Sequence, residues 1–303
     1  MSIIKKIAPI FSILILILSL WYFFVKTNDF EVVINAKTSP GTIYKSVLKW
    51  NKGLNKSNVS TDVTESEPFS SIIHTYNFED YALEMDWKMD NLNDSITKVS
   101  IGINDLKNSL GSRFKKLLGI SPVEELLDQE FSGFNTVLTS HLNDFSVKID
   151  GEETTPASFV AYINITCDQS QKAFNMINNS SYINSFLKKN GFKIISNPFL
   201  EILDWDKKTG QLNFNFCFPI QQRNEMPLHE SIKYKMVTAK KSLKATFHGN
   251  YTYTDEAWYA LHEYIQDHQL KTANIITEIF YENPHVAAEK DINWEAAIYM
   301  EIE

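Results

Sequence analysis

Residues 7–25 read IAPIFSILILILSLWYFFV, a run of 19 residues without a charge. As a helix it would be about 28 Å long, enough for the hydrocarbon core of a bilayer. Such a run becomes either a membrane helix or a cleaved leader. Lys5 and Lys6 precede it, Trp21 and Tyr22 stand at its far end, and no small-x-small cleavage pattern follows. The segment is predicted to be an uncleaved signal anchor behind a short tip at 1–6. Two lysines before it against Lys26 after it, followed by Asp29 and Glu31, predict a single-pass protein. Its N-terminus would be cytoplasmic and its soluble domains exported, periplasmic or extracytoplasmic.

The rest of the composition excludes several classes. The formal net charge is −8, and without Lys5, Lys6 and Lys26 it is −11. That body is repelled by anionic lipid, so the apolar segment and not surface charge would hold it at a membrane. Arg113 and Arg223 are the only arginines; a chain so poor in guanidinium forks is expected to have no nucleic-acid partner. Two cysteines, Cys167 and Cys217, are too few for a disulfide framework or zinc ribbon. Whether they bond to each other stays open. The chain has no HExxH, CxxC, P-loop, GxSxG or GxGxxG motif, and His262, His268 and His285 lack ligand spacing. No metal and no cofactor is expected.

A length of 303 residues suggests about two domains. The first is predicted over 30–149. FEVVINA at 30–36 is a strand pattern, and Ser39-Pro40 opens a helix to about 50 with Ile43, Val47 and Trp50 on one stripe. Residues 51–68 are polar and read as a loop. Strands follow at 69–78, 82–89 and 96–103, and Ser121-Pro122 starts a long amphipathic helix to about 142. FEVVINAKTSPGTIYKSVLKW at the start and EELLDQEFSGFNTVLTSHL at the end resemble the helix-grip fold of the SRPBCC (START-like, polyketide cyclase-like) family. The resemblance implies at most a small ligand cavity. His74 and His141 read as packing or surface residues.

Residues 150–157 form a polar linker, and 158–303 repeats itself. Strand 159–166, helix 170–189 and strands 199–205 and 212–218 are echoed by strand 232–247, helix 254–268 and strands 275–281 and 294–302. FLEILDWD aligns with ITEIFYEN, setting Glu201 against Glu278. The whole is therefore α+β, with a pseudo-twofold pair of strand-helix-strand-strand modules and a cleft where their two sheets meet. Alternation puts Ile276, Glu278 and Phe280 on one strand face, and Phe199, Glu201, Leu203 and Trp205 on another. A carboxylate between such neighbours either is buried with a partner, such as a lysine, or floors an apolar cleft suited to a lipophilic cation. Phe214, Phe216 and Phe218 read as the face under helices, which turns Cys217 the other way; Trp258 reads as packing.

His248-Gly249-Asn250-Tyr251, Ala257-Trp258-Tyr259-Ala260-Leu261, residues 277–284 (TEIFYENP) and 297–302 (AIYMEI) together resemble the GyrI-like, AraC-type effector-binding domain. Glu301 stands where that family usually has proline, and Ala296 or Ala297 where it has threonine. The resemblance implies binding of a small, often hydrophobic and cationic, molecule in a cleft, with Glu278 at the family's acidic position. With the apolar run at 7–25 the expectation is a membrane-anchored protein that binds a small apolar or cationic molecule through Glu278, Phe280, Tyr251, Trp205, Glu201 and Ile276. The resemblance also leaves open a hydrolase of reactive small molecules, with Glu278 as acid or base and Tyr251 or Trp205 positioning substrate. A protein-interaction module with a vestigial cleft is a third reading.

Overall fold

Among the described residues, alternating apolar and polar side chains build two sheets, one of five strands and one of eight. The structure, a computed structural model, describes residues 2–54, 59–78, 80–93, 96–282 and 291–303. Asn283, Pro284 and His285 lie outside these residues. The chain divides into two units, and each is described by itself.

The first unit opens with α1 (Ser2–Leu20), continued by a wider turn through Trp21–Val25. Among the described residues, no helix is long and apolar enough to cross a membrane, so the span expected over 7–25 gains no support from the helix assignment. The five-stranded sheet holds β1 (Phe30–Ala36), β2 (Val59–Glu67), β3 (Ser71–Phe78), β4 (Tyr81–Asn93) and β5 (Ile96–Asp105), in the order β1-β5-β4-β3-β2. Helices α2 (Pro40–Leu54), α3 (Ser109–Leu117) and α4 (Pro122–Leu142) complete the elements that begin before the second sheet. Rings from α2 and α4 pack on the sheet's apolar face: Trp50 lies 5.5 Å from Phe134, and Trp87 lies 5.7 Å from Phe131.

Within the loop expected over 51–68, residues 51–54 end α2 and Val59–Glu67 form the edge strand β2; residues 55–58 lie outside the described residues. Edge strands tolerate polar sequence because one side of the ladder supplies their hydrogen bonds. Buried Thr61 adds a bond, its hydroxyl donating to the Asn51 carbonyl at 2.9 Å.

The second unit carries β6 (Phe145–Thr154), β7 (Ser158–Asp168), α5 (Lys172–Lys189), β8 (Phe199–Trp205), β9 (Gln211–Pro219), β10 (Lys233–Val237), β11 (Lys241–Gly249), α6 (Asp255–Asp267), β12 (Thr272–Phe280) and β13 (Glu295–Ile302). Its sheet runs β10-β7-β9-β8-β12-β13-β11-β6. The order is symmetric about the β8–β12 pair, and the strand before each module pairs with the first strand of the other. Three expectations are corrected here. The modules form one continuous sheet, because β8 and β12 bond directly with Glu201 opposite Thr277; there is no gap between two sheets. Residues 150–154 belong to β6 and not to a linker. The strand expected over 232–247 is two strands, β10 and β11. Gly249 ends β11 at φ +143, and a Cβ there would meet the Asp144 carbonyl at 2.9 Å, so this turn requires glycine.

Candidate functional site

Helices α5 and α6 start over the centre of the same sheet face. That face carries Leu200, Ile202, Phe214, Phe216, Phe218, Ile276, Ile298 and Glu278, all buried. Glu278 sits opposite Leu200 and Ile298 in the ladder and is fully enclosed. Its Oε1 accepts from Lys172 Nζ at 3.0 Å and from the Trp258 indole at 2.6 Å. Lys172, on the first turn of α5, also donates to Thr254 Oγ1 at 2.8 Å and meets Asp255 Oδ1 at 3.4 Å. Burial raises the Glu278 carboxyl above its ordinary range, against the pull of the lysine. Burial draws the Lys172 ammonium down, but Asp255 and Glu278 outweigh it and hold the group charged. The second Glu278 oxygen, Oε2, is buried with no hydrogen-bond partner among the described residues.

The neighbours expected to line a cleft are themselves buried around this centre. Trp205 lies 5.3 Å from Trp258, and its indole donates to Gln169 at 3.4 Å. Gln169 in turn donates to Tyr259 at 2.6 Å and Asp255 at 2.7 Å. Tyr251 packs 4.9 Å from Phe280, and its hydroxyl donates to Glu282 at 2.6 Å or the Glu295 carbonyl at 2.7 Å. It therefore clasps the adjoining ends of β12 and β13, and burial raises its pKa. Glu278, Ile276, Phe280, Trp205 and Tyr251 are thus core residues. The apolar surround of Glu278 is the underside of two helices, and both Glu278 and Tyr251 are buried.

Glu201 lies on the other face. A one-residue step along a ladder flips the side chain across the sheet, so Glu201, level with Thr277 and Asn215, and Glu278, level with Leu200, point in opposite directions. The alignment that sets Glu201 against Glu278 is off by one residue for a twofold that preserves faces. The Glu201 carboxylate accepts from Asn215 at 2.7 Å and from Lys235 on β10. Lys235 Nζ also lies 5.1 Å over the Tyr162 ring. Around them Val160, Phe199, Cys217, Ile279, Ala297 and Tyr299 form an apolar cluster with Tyr162 and Val237. Lys244 Nζ stands 5.8 Å from the Tyr299 ring and pairs with Glu153 at 2.8 Å. Helices α5 and α6 pack on the opposite face; the apolar cluster here is itself buried, and Lys235 and Glu201 keep partly exposed side chains.

Residues 152–303 match the family described as the GyrI-like small molecule binding domain, half of the chain. The chain belongs to the GyrI-like family. No curated protein matches it. Among solved structures, the EcmrR C-terminal domain aligns over 52% of this chain and 98% of its own, at 15% identity and a TM-score of 0.44. The EcmrR–DNA complex in EcmrR-RPo aligns over 65% and 72%, at 14% identity and 0.44. SAV2435 bound to tetraphenylphosphonium aligns over 52% and 94%, at 9% identity and 0.36. The expectation of no nucleic-acid partner is withdrawn, because a protein with a similar domain was solved on DNA; a low arginine count is no ground for that exclusion.

In this GyrI-like domain the sequence motifs mark the scaffold. Asn250 Oδ1 accepts from the Thr252 amide at 3.0 Å, Tyr251 clasps two strands, and Trp258 bonds the buried acid. Sequence reasoning missed Lys172, Lys235, Asn215, Tyr162 and Tyr299. Lys172 left a signal: it shares the buried stripe of α5 with Ile183 and Leu187, where an unpaired lysine would not stay. Lys235 left none, since its partner lies on a distant strand. Cys167 and Cys217 are both free thiols. They sit opposite Leu212 and Tyr162, five rows apart and on opposite faces, too far for a bond.

Proposed function

We propose that this chain is a membrane-anchored receptor that takes a small lipophilic cation on the helix-free face of its GyrI-like sheet, at Glu201. The observation that carries the reading is the Glu201 carboxylate itself. It stands mid-sheet among Tyr162, Phe199, Ile279 and Tyr299, and its present partner is a lysine ammonium on a partly exposed side chain. A ligand cation has the same charge as that ammonium and brings apolar surface the lysine lacks, so displacement gains burial at constant charge pairing. Anchoring is supported by α1, whose apolar side chains from Ile10 to Leu18 are each about half exposed or more. Such a surface is unsatisfied in water. The five-stranded unit, read as a helix-grip domain, serves as the spacer.

The test is a titration of the full chain in detergent with tetraphenylphosphonium. Glu201→Gln is expected to weaken binding by about 1.5–3 kcal/mol, the range for a hydrogen bond to a charged group. Lys235→Met removes the competing ammonium and is expected to tighten it. Glu278→Gln is expected to lower stability and leave affinity unchanged. Affinity that ignores Glu201→Gln, or follows Glu278→Gln, would reject this face.

A further inference from the structure

Helix α3 is folded with its apolar side out. Leu110, Phe114, Leu117 and Leu118 recur at the spacing of a single helix face. All four are more than half exposed, as are Leu106 before the helix and Ile120 after it. Its other side buries Ser112 and Arg113. A patch of this size on a folded unit needs a cover.

Arg113 fixes where the patch lies. Its Nε pairs with Asp29 Oδ1 at 2.5 Å, and Asp29 is itself held by the Ser109 hydroxyl at 2.7 Å and the Asp105 amide at 2.8 Å. The guanidinium donates to the Tyr22 and Lys26 carbonyls, each at 2.7 Å, and the Tyr22 hydroxyl donates to the Arg113 carbonyl at 3.3 Å. Helix α3 is therefore bonded to the backbone where the apolar segment ends, and both belong to one unit. The patch continues the exposed apolar surface of Trp21, Phe24 and Val25. Lys107 and Lys115 stand exposed at its margin. Lysines there extend toward anionic headgroups while their stems stay on apolar surface. Two copies packed patch to patch would instead bring these lysines together.

We propose that α3 lies in the bilayer interface beside the exit of α1, its leucine and phenylalanine stripe inserted among the lipids, so that the first unit rests on the membrane in one orientation. This rests on the membrane-anchored reading of α1. Interfacial helices bury their apolar face roughly 5–10 Å deep, which a depth-resolved quencher reads.

The full chain carrying Cys167→Ser is labelled with an environment-sensitive fluorophore at Leu14→Cys, Leu117→Cys or Leu228→Cys, one site at a time. Each is reconstituted into vesicles of phosphatidylcholine and phosphatidylglycerol with spin-labelled lipid. The expected result is about two-fold or greater quenching at 14 and 117, strongest at 117 with the shallow spin label, and little at 228, which is fully exposed in the second unit. Quenching at 14 without 117 would overturn the α3 contact and keep the anchor. Quenching at 117 without 14 would keep the contact and remove the anchor, and quenching at neither would remove both. A blue-shifted label at 117 that lipid does not quench means a second copy covers the patch, and overturns the proposal.

Discussion

Glu201 and Glu278 stand one register step apart across β8 and β12, and that step decides their chemistry. Glu278 is enclosed with Lys172, so Glu278→Leu leaves a buried ammonium with the Thr254 hydroxyl and the more distant Asp255. Breaking a buried pair from one side costs about 3–5 kcal/mol, whereas replacing both partners by apolar groups costs far less. The urea midpoint of Glu278→Leu is therefore expected to fall sharply and that of the double variant with Lys172→Met to recover; equal midpoints would make the pair energetically idle. Two histidines give a second residue-scale expectation. Burial lowers His74, and burial with Lys207 lowers His262, each from 6.5 to about 4. Between those values the unfolded chain binds the extra proton and the folded chain does not, so stability falls as pH drops from 6.5 to 4 and levels off below. The loss is on the order of 3 kcal/mol per histidine. His74→Leu and His262→Leu should each flatten the fall in stability of their own unit, followed by calorimetry; an unchanged slope would mean the ring is protonated in the fold. The suspicious residue type at 278 was legible in the sequence because a carboxylate between Ile276 and Phe280 breaks a pattern. Its side of the sheet was not, because alternation fixes only which residues share a face and never which face the helices cover.

At the scale of elements, strands with an apolar rhythm announce themselves and edge strands do not. Phe30–Ala36 ends where its alternation ends. Phe199–Trp205 does not: a bulge between Ile202 and Asp204 turns Trp205 to the face opposite Glu201, which corrects the expectation that the two share a face. The edge strands β2 and β6 carry charge instead. In β6, Glu152 and Glu153 face Lys241 at 3.0 Å and Lys244 at 2.8 Å across the ladder to β11, so polar residues that read as a linker are a strand held from one side. A consequence follows for any fragment of the GyrI-like half. One starting at 158 leaves β11 without its outer partner over the register Lys241–Gly249, and exposes the β11 edge. Residues 138–303, which keep β6, are expected to unfold in one sharp thermal transition, and 158–303 to melt broadly or aggregate. Equal melting of both would show that β6 is dispensable. The GyrI-like match begins at 152, inside this strand, so a boundary drawn on the match alone cuts it.

For the whole molecule, attachment to a membrane is a question of which surface can do it. With a net charge of −8, electrostatics favours release from anionic lipid, leaving the uncharged run at 7–25 and the outward stripe of α3. The two differ in strength. A spanning helix is effectively irreversible, while an interfacial contact is partial and sensitive to lipid composition. Alkaline carbonate washing of membranes from expressing cells separates them. The full chain is expected to stay in the pellet, and the chain lacking residues 1–25 to move largely to the supernatant. If the truncated chain stayed as firmly bound, α3 would be the main attachment and the anchor reading of α1 would fail. If the full chain were released, both contacts would be peripheral. A charge placed mid-run, Ile15→Arg, is the finer probe: about 2.5–3.5 kcal/mol against insertion should shift an inserted helix toward the washed fraction and leave an interfacial α3 contact unaffected.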